Sequence, residues 1–236
     1  MQAEPAEDHR TRTAAHRRLR MRRRLVESAL EVIARDGLEA TTIDTVIRTA
    51  GVSRGSFYNY FDSTEDLVQA ASNDLKGEML LQVIKATQGH PDPATRLAAG
   101  FKTFAVTVAT YPELAQFVQG LDLSAANTAS AVSERFPIFL RNGIAAGQFV
   151  EQPPAVMIDL VTGCVIKCVA RTISGTADAT YVRHLVAGVL RGLGLPPDQA
   201  WQISAVEAGP IDIPADGLLG RLHQMRHNHA TLAQGV

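Results

Sequence analysis

Apolar side chains recur every three or four positions along most of this chain, with polar faces between them, the pattern of amphipathic helices. Leu25, Ala29, Val32 and Ile33 make one such stripe and predict a first helix over about 17–35, ending at Gly37. Ile43, Val46, Ile47 and Ala50 stand at i, i+3, i+4 and i+7 and predict a short helix over 43–50. Gly51 is suited to a left-handed cap, and Ser53 to capping a next helix over about 54–60. Val52 and Phe57 flank that cap at the spacing of a hydrophobic staple. Ser63 with Asp66 reads as a capping box for a long fourth helix to about Thr87, before Gly89, Pro91 and Pro93 break the chain. Further helices are expected at about 94–109, 112–119, 124–146, 154–174 and 178–193, with prolines at starts and Gly147, Gly175 and Gly194 at stops. After Leu195 the pattern is weaker: a short helix over 201–208, a loop over 209–217 and a last helix over 218–229. No strictly alternating Val/Ile/Tyr/Thr run lies between hairpin turns, so the fold class expected is all-α.

Two short helices meeting at a tight glycine turn make a helix-turn-helix, whose second helix is built to lie in a DNA major groove. Phe57 and Phe61, four apart, bury one side of that helix. Gly55 and Asn59 then project roughly opposite, and Arg54, Ser56 and Tyr58 occupy the first turns, within reach of bases and phosphates. Gly55 leaves room for close backbone approach, Asn59 has the paired donor and acceptor that suit adenine, and Tyr58 and Tyr60 offer hydroxyls to phosphate oxygens. A small helical packing motif with no ligand is the alternative.

The run T-T-I-x-x-V-x-x-x-A-G-V-S-R-G-S-F-Y-N-Y-F, from Thr41 to Phe61, resembles the DNA-binding signature of the TetR family of bacterial transcriptional regulators. The resemblance is dense over roughly residues 20–70 and places the DNA-contacting positions on Thr42, Arg54, Gly55, Ser56, Tyr58, Asn59 and Tyr60. It also departs in one place. The family often has a phosphate-gripping lysine at the start of the next helix, where this chain has Thr64.

Charge is distributed to match. Residues 1–24 hold eight Arg and three acids, a net of +5, while the remaining 212 hold 15 basic and 21 acidic groups, a net of −6. A near-neutral total thus hides a basic head on an acidic body. Arg-rich segments bind phosphates by releasing counterions, and Arg22 and Arg23, at the end of the run, are candidate phosphate contacts. For residues 1–16 a solvated, disordered basic arm is expected. The organisation read from the chain is this arm, a helix-turn-helix domain over 17–66, a larger helical domain over 67–195 and a C-terminal extension over 196–236.

Enzyme chemistry is not expected. No Gly-rich phosphate loop, H-E-x-x-H or G-x-S-x-G occurs, and no cofactor is implied. Cys164 and Cys168, four apart, read as packing thiols rather than metal ligands, and His223, His227 and His229 as a polar tail. No secretory leader is evident, and Asp159, Lys167 and Arg171 interrupt the most apolar stretch, 155–173, so no membrane span and a cytoplasmic location are expected.

The resemblance implies a pocket for a small, usually apolar effector in the larger domain. Phe101, Phe104 and Phe117 are candidate walls, and Lys167 and Arg171 candidate polar groups, with Asn127 and Arg135 also possible suppliers. It further implies a homodimer through helices 154–174 and 178–193. Val161, Cys164, Val165 and Cys168 form an apolar stripe on the first, with Gly163 allowing close approach; Leu185, Val189 and Gly192, beside Val186 and Leu193, do so on the second. A monomeric bundle would bury the same residues internally. The function expected is a ligand-responsive regulator, by resemblance a repressor, that holds a palindromic double-stranded operator as a dimer and is released by its effector. A constitutive DNA binder without effector and a helical interaction protein are the alternatives.

Overall fold

The computed structural model describes residues 6–111 and 131–233, and every regular element among them is an α-helix. In chain order they are α1 (Ala6–Asp36), α2 (Ile43–Ala50), α3 (Arg54–Tyr58), α4 (Thr64–Thr87), α5 (Pro93–Thr110), α6 (Ala131–Ala145), α7 (Pro154–Ile173), α8 (Ala179–Gly192), α9 (Pro197–Ile203) and α10 (Leu218–Ala233). The chain divides into two compact units, one of residues up to Ala71 with those from Gln224 on, the other Ser72–His223. The boundary therefore falls five residues later than the 66/67 division read from the sequence, and the end of the expected C-terminal extension groups with the first unit.

Most helix ends stand within a residue or two of the pattern, and the larger departures have local causes. The first helix begins at Ala6, so the expected disordered arm is helical from there on. Between Pro5 and Gly37 the chain contains no Gly or Pro, and Ala, Arg, Leu and Glu are good helix formers. The helix expected at 201–208 instead spans Pro197–Ile203, because Pro197 sits where a missing N–H costs nothing, in the first turn. The helix expected over 112–119, the 124–130 start of the next, Phe117 and Asn127 lie outside the described residues.

In the first unit α1 packs against α2 and α2 against α3. Leu25, Val26, Ala29 and Val32 of α1, Val46 of α2 and Phe57 of α3 are wholly excluded from solvent. Gly51 ends α2 at φ 62°, ψ 43°. Its N–H reaches the Arg48 carbonyl (3.3 Å) and the Val52 N–H reaches that of Ile47 (3.0 Å), the paired bonds of a Schellman cap.

In the second unit α5 packs against α6, α7 and α8, and α9 closes over α8. Phe101, Leu140, Met157, Val161, Cys168, Val186, Val189, Leu190 and Leu193 share one buried core. The stripe expected to form a dimer interface thus faces inward for Val161, Cys168, Val186, Val189 and Leu193, since the same periodicity serves the subunit's own bundle. The outward positions include Val156, Asp159, Lys167, Arg171 and Ile173 on α7 and His184, Gly188, Arg191 and Gly192 on α8. Burial raises the pKa of both Cys164 and Cys168. Among the described residues no group of three or more metal-ligating side chains occurs. His223 packs edge-on against Tyr111, with ring centroids 5.1 Å apart. No helix among the described residues is long and apolar enough to cross a membrane.

Capping of α10 comes from far away in sequence. Both carboxylate oxygens of Glu78, on α4, accept the first backbone N–H groups of the helix, Leu218 at 2.8 Å and Leu219 at 3.4 Å. Gly217 makes this possible, because a Cβ there would collide with the Glu78 carboxylate. Glu78→Ala should therefore lower stability by about 1–2 kcal/mol, the usual worth of a helix cap. Amide hydrogen exchange at Leu218 and Leu219 should quicken selectively; unchanged protection there would show that the carboxylate contributes nothing.

Candidate functional site

The reading helix is the shortest regular element of the first unit, and its position is set at both ends. At its start the Ser53 hydroxyl accepts the Ser56 N–H at 3.1 Å, and the two hydroxyls lie 2.9 Å apart. At its end the Tyr60 and Phe61 N–H groups both reach the Phe57 carbonyl, so the last turn tightens and the helix closes at Tyr58 rather than 60. Phe57 is sealed in the core and Phe61 nearly so, their rings 6.1 Å apart. That anchorage turns the opposite side outward: Arg54, Gly55, Tyr58 and Asn59 are exposed, with Tyr58 at 51%.

The other candidate positions frame this head. Thr42 is exposed and caps α2, its hydroxyl accepting the Thr45 N–H (3.2 Å) while Thr45 returns the bond to the Thr42 N–H (2.9 Å). Ser56 and Tyr60 are half-buried. From α1, the Arg18 guanidinium lies 6.0 Å over the Tyr60 ring and that of Arg22 5.9 Å over Phe61, distances at which a cation is attracted to a ring face. Arg23 pairs with Glu27 at 2.8 Å. The α1 run therefore borders the reading helix with guanidinium groups, and Arg12, Arg17, Arg20 and Arg24 are also exposed.

Sequence reasoning missed one ion pair within this surface. Arg54 Nη2 lies 2.7 Å from Asp44 Oδ1, and this hydrogen bond raises the arginine's pKa. Both side chains are exposed, so the pair adds little stability, but it sets a carboxylate on the surface beside the exposed face of α3. Spacing alone could not have disclosed it, because the partners sit ten residues apart on two helices whose crossing had to be known.

The second unit holds an apolar cavity of about 190 Å³. Leu80, Val83, Ile84 and Thr87 of α4 form one wall, and Leu97, Gly100, Phe101 and Phe104 of α5 another. Phe136 and Phe139 of α6 and Val161, Thr162 and Val165 of α7 complete it, with Lys76, Arg96 and Arg135 as the charged members. Phe101 and Phe104, expected as pocket walls, line this cavity. Lys167 and Arg171 do not line the cavity; both are exposed on α7, and Arg171 lies 5.3 Å over the Tyr181 ring. Arg135, also expected as a possible supplier, does line it, as does Arg96, a cation within the apolar stripe of α5 between Ala94 and Leu97.

Known proteins agree with this architecture. Residues 25–71 match the model of the bacterial regulatory proteins, tetR family. The chain is 36% identical over 78 residues to the HTH-type transcriptional regulator BetI of Rhizobium meliloti (strain 1021), a match covering 33% of this chain and 38% of that protein. It is 28% identical over 151 residues to the HTH-type transcriptional regulator YfiR of Bacillus subtilis (strain 168), covering 57% of this chain and 70% of that one. The first of these matches therefore spans well under half of its relative's length. Among solved structures, RolR resembles it with a TM-score of 0.64 without ligand and 0.62 in complex with resorcinol, at 20% identity in both. The latter comparison covers 84% of this chain and 100% of RolR, and it is a likeness of fold.

Asp44→Asn should tighten binding to a duplex of unrelated sequence at low salt, measured by fluorescence anisotropy, with stability changed by no more than about 0.5 kcal/mol. Unaltered affinity would mean that Asp44 lies away from the phosphates. With a capped and anchored α3, a basic α1 beside it and a helical second unit around a cavity, residues 25–71 carry the N-terminal domain of the bacterial regulatory proteins, tetR family, and the chain is similar to transcriptional regulators.

Proposed function

We propose that this protein is an effector-responsive, DNA-binding transcriptional repressor that holds a palindromic operator as a homodimer. The observation that carries the reading is the exposed face of α3: Gly55, Tyr58 and Asn59 point to solvent because Phe57 is fully buried behind them. Asn59 offers adenine a donor and an acceptor together, and Tyr58 and the α1 arginines supply phosphate contacts. One such helix covers too few base pairs for high specificity, so two copies are needed, about 34–36 Å apart along one face of the duplex. The exposed positions of α7 and α8, from Val156 to Ile173 and from His184 to Arg191, are the surface assigned to pairing. Gly163 and Gly188 would meet nothing if a Cβ were added, which leaves room there for a second pair of helices.

Effector control runs through α4. This helix is continuous from Thr64 to Thr87, and its length from Lys76 on walls the cavity. A ligand that prefers one placement of α4 changes DNA affinity by its differential affinity for the two placements, typically 1–3 kcal/mol. RolR is described with resorcinol bound, and a further relative, HdnoR of Paenarthrobacter nicotinovorans, is named a nicotine-responsive transcriptional repressor. Both support an organic effector here.

Selection of bound duplexes from a random pool tests the reading, and a palindrome with half-sites one helical turn apart is the expected product. Tyr58→Ala and Asn59→Ala should each weaken binding to the selected site by about 1–3 kcal/mol while folding and self-association persist. Affinity should also fall steeply as salt rises. Recovery of no enriched sequence, or loss of the fold in both variants, would favour a helical interaction protein.

A further inference from the structure

The cavity carries cations in an otherwise apolar wall. Besides its four phenylalanines and aliphatic residues it presents Lys76, Arg96 and Arg135, and no acidic side chain lines it among the described residues. Arg96 is the most constrained of these. Its side chain reaches from α5 over the Phe139 ring, 5.9 Å from guanidinium to centroid, and its Nε is buried without a hydrogen-bond partner. A buried charged donor without an acceptor is costly, and native structures rarely keep one unless something else meets it.

From this we infer that the cavity takes an aromatic monocarboxylate, its ring among the phenylalanines and its carboxylate on Arg96, with Arg135 closing from α6. This deepens the effector reading above and rests on it. The chemistry is selective in both parts. A guanidinium matches a carboxylate in a paired, planar contact that a neutral amide or alcohol cannot reproduce. As for size, an apolar cavity of about 150 Å³ accepts benzene. The roughly 190 Å³ here therefore suits one ring with a short acidic substituent. Phe136 and Phe139 lie nearly parallel with centroids 6.0 Å apart, so they offer flat faces rather than a narrow channel.

Isothermal calorimetry on the full chain, without DNA, tests the inference with benzoate and phenylacetate, each against its own primary amide, and with resorcinol as a neutral phenol. The acids should bind at least about tenfold more tightly than their amides, as one charge-assisted pair implies. Arg96→Gln should remove that preference. Arg135→Gln, at an exposed position that leaves the core intact, should reduce it, so the test survives a folding defect in the first variant. Equal binding of acid and amide, a preference that persists in both variants, or no binding by any probe at millimolar concentration would overturn the inference. The regulator reading is judged separately by operator affinity: acids that bind without changing it leave the site standing and remove the effector role. A neutral probe that shifts operator affinity while the acids do not bind would do the reverse.

Discussion

A helix of five residues has too few internal hydrogen bonds to persist alone, so α3 exists only because other parts of the first unit hold it. The central constraint is the burial of Phe57. Removing that ring from water stabilises the helix by a few kcal/mol, far more than its own backbone bonds contribute. It also fixes rotation about the helix axis. With Phe57 pinned, Gly55 and Asn59 have one direction left, outward, and the Ser53 and Gly51 caps set the height and angle at which the helix enters. The arginines of α1 matter in the same frame, since Arg18 and Arg22 lie against Tyr60 and Phe61 and link the basic surface to the reading face.

The second unit solves a different problem. A helical bundle of this size fills its interior with Leu, Met, Val and Phe, and most of its apolar positions do so. The cavity is where filling stops: Phe101, Phe104, Phe136 and Phe139 surround space instead of touching across it, and Arg96 stands at its edge. A site that only needed stability would hold a leucine there. Retaining a guanidinium whose Nε is buried without a hydrogen-bond partner makes sense if that partner arrives from solution.

The first unit was more legible in the sequence than the second. Capping residues and a staple act within four or five positions, so Gly51, Ser53 and Phe57 announced the turn, the helix start and the buried side. The Thr41–Phe61 signature added the family resemblance, which residues 25–71 share with the tetR family model. In the second unit the helix ends were marked by Pro and Gly, yet which face of α7 and α8 looked inward was not, because one apolar period fits both a subunit core and a helix pair between copies. Arg96 rather than Lys167 or Arg171 reaches the cavity for the same reason. Helical periodicity says which side chains share a face, and only the packing of four helices says which faces converge. The Asp44–Arg54 pair and the Glu78 cap, set by chain crossings over ten and 140 residues, left no local trace.

The joint between Glu78 and α10 has a mechanical implication. One carboxylate bridges two adjacent amides, and Gly217 lets it sit flush against the chain, so the fit is short-range and directional. Sliding α4 lengthwise by a single residue, about 1.5 Å, would carry the oxygens beyond bonding reach. Gentle rocking about that point need not. The clasp therefore works as a pivot, favouring tilt of the long helix over telescoping by no more than its two bonds are worth.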